Sequence, residues 1–567
     1  MKHQIGKVIE VKGDQIIVSL SEFDAANNIG VPEEMAVDVS TPDGPENILI
    51  GQPGSFVELS LPNGSLLCLV TETRMREASI GASEVKSAAV DGDFLIEQVT
   101  RQLVTIPVGT LGADGSFERG TNILPTVNAP VFAVLPKTIN QVYTSFAEGD
   151  FSLGQLSLLP DQEAKMNLDA FLGRHAAILG QTGGGKSWTV ASILQKIAAF
   201  PQSTVLLLDL HGEYSKAFGD NAEVISAADI EMPYWLMNAE ELLGLMIDRA
   251  ESSAPNQNAK FKELLQAAKE NHPENVALGL EKITIDTPVY FDLDSIIQEF
   301  KRLDTEMQPK AAGSGLKQGP LYGQFTRLLM RLESRLNDRR YDLIFKPKTY
   351  NTSGSMDDLF RKVLGEEPSN RKKIVVLDLS PVPFDVRGSL ISLTLRCLFD
   401  FSYWHSRVNG ERYPIAIFAD EAHIYLSDAS SDQAPRESAE RIAKEGRKYG
   451  ISLTVISQRP REMSSTILSQ CGSFLCLRIS NPDDQAYVRN LLPDSIRGIT
   501  SMFSSLRRGE AILIGDSMMM PTRIKVDRPD PTPNSNDASF VKLWSNDPSD
   551  LDVAAVLDAW RNQKVVE

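Results

Sequence analysis

Cysteine is scarce in this chain. There are 4 in 567 residues, Cys68, Cys397, Cys471 and Cys476, and they sit mostly inside apolar, strand-like runs. Cys471 and Cys476 have no nearby Cys/His pair to complete a zinc set, so buried reduced thiols are expected rather than a disulfide framework or a zinc site. Aromatic residues make up only 7% of the chain. No run approaches the roughly 20 apolar residues that a membrane span needs. The first residues, MKHQIGKVIEVKGDQ, lack the apolar stretch of a signal peptide, so a cytoplasmic protein with no membrane association is expected. Basic residues are also in deficit: 57 Lys and Arg stand against 75 Asp and Glu, for a net charge of −18. That argues against a protein that coats DNA non-specifically. It leaves open a DNA enzyme whose basic groups line one channel, because net charge says nothing about local distribution.

What is present is ordinary globular composition, 42% apolar and 23% charged, which excludes wholesale disorder and fibrous folds. A single core stops growing near roughly 250–300 residues, so the length implies two to four domains of about 100–200 residues. Residues 1–145 read as short strands (IGKVIEV, QIIVSL, ILIG, SFVELSL, LLCLVTE, RQLVTIPVGTL). Turns at Lys12-Gly13-Asp14, Pro42-Asp43-Gly44, Pro62-Asn63-Gly64 and Ala113-Asp114-Gly115 divide them. A small β-barrel is expected, with a β-sandwich as the competing arrangement.

From about residue 150 the pattern changes. HAAILG, STVLLLDL, KIVVLDLS, YPIAIFAD, ISLTVIS and FLCLRIS are near-continuous apolar runs separated by helical stretches. These predict strands buried on both faces of a mostly parallel sheet, an α/β core in two parts, 146–234 and 346–528. Between them, 235–345 reads as an inserted helical subdomain with SSAPNQNAK and PKAAGSGLKQGP as flexible connectors. Residues 529–567 form a tail that starts extended and ends in a short helix around DLDVAAVLDAW.

The sharpest chemical signal is Gly180-Gln181-Thr182-Gly183-Gly184-Gly185-Lys186-Ser187, followed by Trp188. It matches G-x-x-x-x-G-K-[ST] between a strand and a helix. There glycines let backbone N–H groups curl around phosphates, the lysine reaches the β- and γ-phosphates and the serine holds Mg²⁺. The second signal is the strand IAIFA ending in Asp420 and Glu421, suited to holding Mg²⁺ and to polarising an attacking water respectively. A third segment, DLHGEY, places Asp209, His211, Glu213 and Tyr214 past a strand end; His211 alone reads as a structural residue rather than a metal ligand. Ser457, Gln458 and Arg459 stand at the end of the strand in ISLTVISQRP, where the amide of Gln458 can sense a γ-phosphate. Arg447, in the basic segment EGRKYG, reads either as a solvated helix end or as an arginine finger for a neighbouring subunit.

Together the phosphate loop, DLHGEY, DEAH, EGRKYG, SQRP, FLCLRISNPDDQ and the closing PTRIKVDRPDPTPNSNDASFVKLW resemble the HerA-like branch of the HerA–FtsK P-loop motors. The resemblance covers nearly the whole chain. Its implied fold is a RecA-like core behind a barrel of the kind HerA shares with rotary ATP synthase subunits. Its implied assembly is a homohexamer with ATP and Mg²⁺ between subunits and double-stranded DNA threaded through the pore. Its implied roles are Lys186, Ser187, Asp420 and Glu421 as ATPase residues, Gln458 as sensor, Arg447 as the finger acting across the interface and Arg174 as a second interface arginine. Relatives of this type work with a partner, an end-resection nuclease in archaea, or a sirtuin-type NADase or nuclease-domain protein in bacterial antiphage defence. The barrel is the expected docking face.

The chain departs from the family in its three consecutive glycines, where Gly-Ser-Gly is usual, and in its large helical insertion. An ATP-binding scaffold that oligomerises and activates an effector, with DNA movement secondary, shares all these motifs. A rotary ATP synthase-like subunit shares the plan but not DLHGEY or EGRKYG. Arg327, Arg331, Arg335 and Arg339 recur every four residues in the insertion, which predicts an arginine stripe that faces either solvent or DNA.

Overall fold

Short strands rich in Val, Ile and Leu and parted by tight turns must either leave edges exposed or close on themselves. In the computed structural model the N-terminal strands close. The structure describes residues 2–24, 29–41, 44–77, 99–112, 114–146, 151–226, 231–247, 253–310, 315–366, 370–430, 432–535, 539–545 and 552–562. The strands are β1 (Gln4–Val11), β2 (Ile16–Leu20), β3 (Ala36–Thr41), β4 (Gly44–Leu49), β5 (Phe56–Leu61), β6 (Gly64–Glu77), β7 (Val99–Gly112), β8 (Phe117–Arg119) and β9 (Pro130–Ala133). The order β2-β1-β9-β5-β6-β7 returns to β2 through the pairing of Ile16–Ser19 with Gln102–Thr105, which makes a six-stranded barrel rather than a sandwich. Register breaks at Leu67/Cys68 and Val70/Glu72 bend the long β6–β7 ribbon, as bulges do where a sheet must curve. Ile5, Val18, Val57, Leu66 and Val131 fill the interior, and the β3–β4 hairpin adds Val37 and Val39 to the same core. The expected turns at Lys12 and Pro62 join β1 to β2 and β5 to β6. Pro42, Asp43 and Ala113 lie outside the described residues.

The chain packs as two units. One comprises residues 1–196, 421–423 and 452–530, the other 197–420, 424–451 and 531–567. In the first, the strand Ala176–Leu179 lies parallel to both Ile451–Ser457 and Ser473–Cys476. Antiparallel strands Glu510–Gly515, Thr522–Val526, Phe151–Leu156 and Leu159–Met166 extend it from Ser473–Cys476 outwards. In the second, Ile415–Ala419, Val205–Asp209, Ile374–Asp378 and Ala222–Ser226 are all parallel. This is the RecA-like α/β core that the apolar runs imply. FLCLRIS is strand only as far as Cys476, and the four antiparallel strands add to the parallel ones read from the sequence.

The inserted helices run Ala239–Met246, Ala254–Asn271, Leu293–Asp304 and Thr326–Leu336, packed on aromatic contacts among Phe261, Phe300 and Phe325. Two connectors differ from expectation. SSAPNQNAK supplies the first turns of Ala254–Asn271, because Pro255 suits a helix's opening turn. PKAAGSGLKQGP contributes the hairpin of Met307–Pro309 with Leu316–Gln318. The arginine stripe is shorter than expected as well. Arg327, Arg331 and Arg335 lie on Thr326–Leu336, but Asn337 ends that helix and Arg339 opens a separate turn. Arg335 stacks over Tyr341, its Cζ 5.5 Å from the ring centroid. The four cysteines are buried and free. Among the described residues no helix is long and apolar enough to cross a membrane.

The barrel core is tested at Leu66, which is fully buried opposite Leu59. Leu66→Ala is expected to lower stability by about 2–5 kcal/mol, read as an earlier urea transition of the barrel's β signal.

Candidate functional site

Apolar Ala176–Leu179 delivers the chain to the phosphate loop, and the helix Lys186–Ile197 carries it away. The turn is fixed by backbone bonds: Gly180 N–H donates to Ser457 O at 3.1 Å, Gln181 N–H to Arg478 O at 2.9 Å and Gly184 N–H to Gln181 O at 3.0 Å. Gly183 and Gly185 have φ of +74° and +101°, a region that side chains with a Cβ resist. A Cβ on Gly185 would also stand 3.3 Å from Gly509 N. Gln181 Oε1 accepts from Ser480 N–H at 3.1 Å and also from the Ser480 hydroxyl, so the side chain at the loop's second position is pinned to the segment after Cys476.

Within this same unit the structure brings together three of the expected groups. Lys186 is buried, and its Nζ lies 4.0 Å from Glu421 Oε1. Glu421, equally buried, adopts φ +45°, a left-handed backbone that costs a residue with a Cβ about 1–3 kcal/mol and clusters at functional sites. Its second oxygen is 3.3 Å from His423 Nδ1. Gln458 accepts at Oε1 from the Thr182 hydroxyl of the phosphate loop. Its neighbour Ser457 is locked, its Oγ accepting from Arg459 N–H at 3.0 Å. Ser187 and Trp188 occupy the first turn of the loop's helix.

Arg174, at the end of the helix Leu168–Gly173, is paired with Asp516 at 2.5 Å. Arg119 approaches the same carboxylate at 3.7 Å and donates to Gly515 O at 3.0 Å.

The other expected residues belong to the second unit. Asp420 is buried at the end of Ile415–Ala419, its N–H donating to Leu208 O at 3.1 Å and its carbonyl accepting from Tyr425 Oη at 2.9 Å. Arg447 is exposed in the turn Gly446–Lys448 and has no ion-pair partner among the described residues. Asp209, fully buried, accepts four backbone N–H groups. Those of His211, Gly212 and Glu213 go to Oδ1 at 3.2, 2.9 and 3.2 Å, and that of Tyr214 to Oδ2 at 2.9 Å. Burial raises its pKa against the lowering effect of those bonds, and neighbouring Asp378 raises it further. Its lone pairs are committed to shaping the DLHGEY turn, with Gly212 at φ +72°.

Three features escaped the sequence reading: His423 beside Glu421, Ser480 on Gln181 and Gly509 against Gly185. The order Asp-Glu-Ala-His held the only local sign of the first. The other two join positions some 300 residues apart, and no local pattern marks them. No group of three or more metal-ligating side chains occurs among the described residues.

Comparison with known proteins agrees with this geometry. Residues 151–398 match the family model of the helicase HerA central domain. A probable helicase of Methanocaldococcus jannaschii is 25% identical over 77% of this chain and 78% of its own length. DNA double-strand break repair helicases HerA are 26% identical in Saccharolobus solfataricus, over 75% of this chain and 77% of the relative. In Pyrococcus furiosus the figure is 25%, over 83% of this chain and 87% of the relative. The chain is thus similar to the HerA helicases over about three quarters or more of its length, its match to the HerA central domain spans residues 151–398, and it is an ATP-hydrolysing enzyme.

Proposed function

We propose that this protein is a ring-forming motor that uses ATP and Mg²⁺ to move double-stranded DNA through a hexamer's pore. The observation that carries the reading is the buried approach of Lys186 to Glu421 at 4.0 Å, beside the positive-φ glycines of the loop. A lysine there is suited to neutralise β- and γ-phosphate charge, and a carboxylate held beside it at a strained backbone is suited to orient an attacking water. Ser187 and Asp420 offer the hard oxygen donors that Mg²⁺ takes, and the ion when bound spreads the charge that develops on the phosphates. Gln458, bonded to Thr182, is placed to register loss of the γ-phosphate and pass it to Ile451–Ser457. The names of the relatives, double-strand break repair helicases, support duplex DNA as the substrate.

Arg447 is the finger in this proposal. It is a guanidinium on a short turn with no partner among the described residues, available to a phosphate on a neighbouring copy. Arg174 already holds Asp516, so a role at an interface requires it to exchange that carboxylate for a phosphate. In this proposal the barrel, 1–145, is the docking face for a nuclease or NADase-type effector, 146–234 and 346–528 form the motor core, 235–345 its helical insertion and 529–567 the tail. Work in the cytoplasm, in antiphage defence or DNA end processing, belongs to the same reading.

Glu421→Gln is expected to bind ATP and assemble as wild type yet lose ATP turnover by about 10²-fold or more, measured by phosphate release with and without duplex DNA. Wild-type ATPase that duplex DNA does not stimulate would instead favour a scaffold that activates its effector. Arg447→Ala is expected to lose about 10³-fold in rate. Mixed with Glu421→Gln it should regain part of that rate, since the two defects lie on opposite sides of an interface, so that one mixed interface carries both and another carries neither. Full activity of Arg447→Ala alone would remove it as the finger.

A further inference from the structure

Trp188 follows Ser187 in the first turn of the phosphate-loop helix. Two guanidiniums lie over its ring, with Arg508 Cζ 5.5 Å and Arg528 Cζ 5.1 Å from the indole centroid. All three residues belong to the first unit. Arg508 is tied to the phosphate loop through the next residue, since Gly509 N–H donates to Gly184 O at 3.4 Å. Arg528 is tied to the far end of the same helix, since Asp527 pairs with Lys196 at 2.6 Å.

Among the described residues neither Arg508 nor Arg528 pairs with a carboxylate; both lie against the indole. Two like charges over one ring repel, so the cluster is left with positive charge uncancelled. The Trp188 Nε1–H is also buried with no acceptor, a donor of the kind that buried groups in native proteins rarely leave unmatched. A nucleotide answers all three conditions. Its base is planar and stacks on the indole or a guanidinium, the acceptors of its base and ribose meet the N–H groups, and its phosphates carry the negative charge that offsets the cations. Trp188 directly follows Lys186 and Ser187, the residues that would hold the phosphates.

We propose that Trp188, Arg508 and Arg528 form the nucleoside platform of the site, on which the base of a nucleoside triphosphate stacks. The inference rests on the nucleotide-site reading above and adds what reads the base. Indole and guanidinium groups offer donors only. The adenine amino group needs an acceptor and the platform supplies none, whereas guanine O6 and N7 both accept from a guanidinium. Stacking through the π-face therefore gives adenine no preference, and the site takes GTP at least as tightly as ATP.

The test is calorimetric titration of the full-length chain with ATP, with GTP and with inorganic tripolyphosphate, each in Mg²⁺. Trp188→Ala and the double variant Arg508→Ala/Arg528→Ala should each weaken ATP and GTP about tenfold, the loss expected for one stacked base, while leaving tripolyphosphate unchanged. Trp188→Phe, which keeps an aromatic face, should retain most of the affinity. Lys186→Ala should weaken all three ligands. Normal ATP binding by Lys186→Ala would overturn the nucleotide site itself, a result separate from the fate of the platform. The platform falls if Trp188→Ala binds ATP as wild type, or if it loses tripolyphosphate in the same proportion. Much tighter binding of ATP than GTP by the wild type would overturn recognition through the π-face. If Trp188→Ala does not fold, the double arginine variant decides by the same comparison.

Discussion

A lysine and a glutamate 4.0 Å apart, both buried, are the constraint that the first unit is organised around. Removing two charges from water costs several kcal/mol per ion, and their mutual attraction offsets this only when both are held in place. Glu421 adds a second cost by taking a left-handed backbone. Neither cost is tolerable on a loose loop. The pair persists because Ala176–Leu179 is buried, strand-paired on both sides and continuous with a loop whose first residue bonds to Ser457 O. On the proposed chemistry the cost has a purpose. Without nucleotide the two charges balance each other, and an arriving triphosphate competes for Lys186 and leaves the carboxylate to orient water. A site stabilised for its own sake would have been built from packed apolar residues.

The same division between local order and distant pairing decides what could be read from the sequence. The phosphate loop, the strand before it and the helix after it are specified by adjacent residues: glycines where φ must be positive, four apolar residues before them, a helix former after them. Each was legible. Barrel strands were legible as strands, from alternation and from Lys12-Gly13-Asp14 and Pro62-Asn63-Gly64. Their closure was expected because a closed sheet leaves no exposed edge, but which strands close it was not legible, because β2 meets β7 across some 80 residues and no pattern within either strand encodes that choice. Distance hid part of the site for the same reason. Glu421 was visible at its strand end, but its approach to Lys186 spans more than 230 residues.

Short breaks were misread where a single side chain outweighs the general trend. Pro255 looks like a linker residue, yet its fixed φ suits a helix's first turn. The four-residue arginine spacing looks like one helix face, yet Asp338 accepts from Arg340 N–H and opens a new turn before Arg339. Asp209 was legible only as an acid past a strand end. Four backbone donors on its one carboxylate show what it does there: the side chain replaces a stretch of secondary structure, holding His211 to Tyr214 in one conformation.

Charge connects these observations. At −18 overall, the chain has carboxylates to spare, and many of its arginines find them: Arg174 with Asp516, Arg340 with Asp338 and Asp385, Arg396 with Glu241 and Asp400, Arg523 with Glu510. Arg447, Arg478, Arg508 and Arg528 belong to those with no carboxylate partner among the described residues. Arg478 gives its carbonyl to Gln181 N–H, and Arg508 precedes the glycine that touches Gly184. On the proposed chemistry an incoming polyphosphate supplies an anion to these cations, and a net charge of −18 disfavours DNA along the outside of the protein, which suits the proposed pore better than a face.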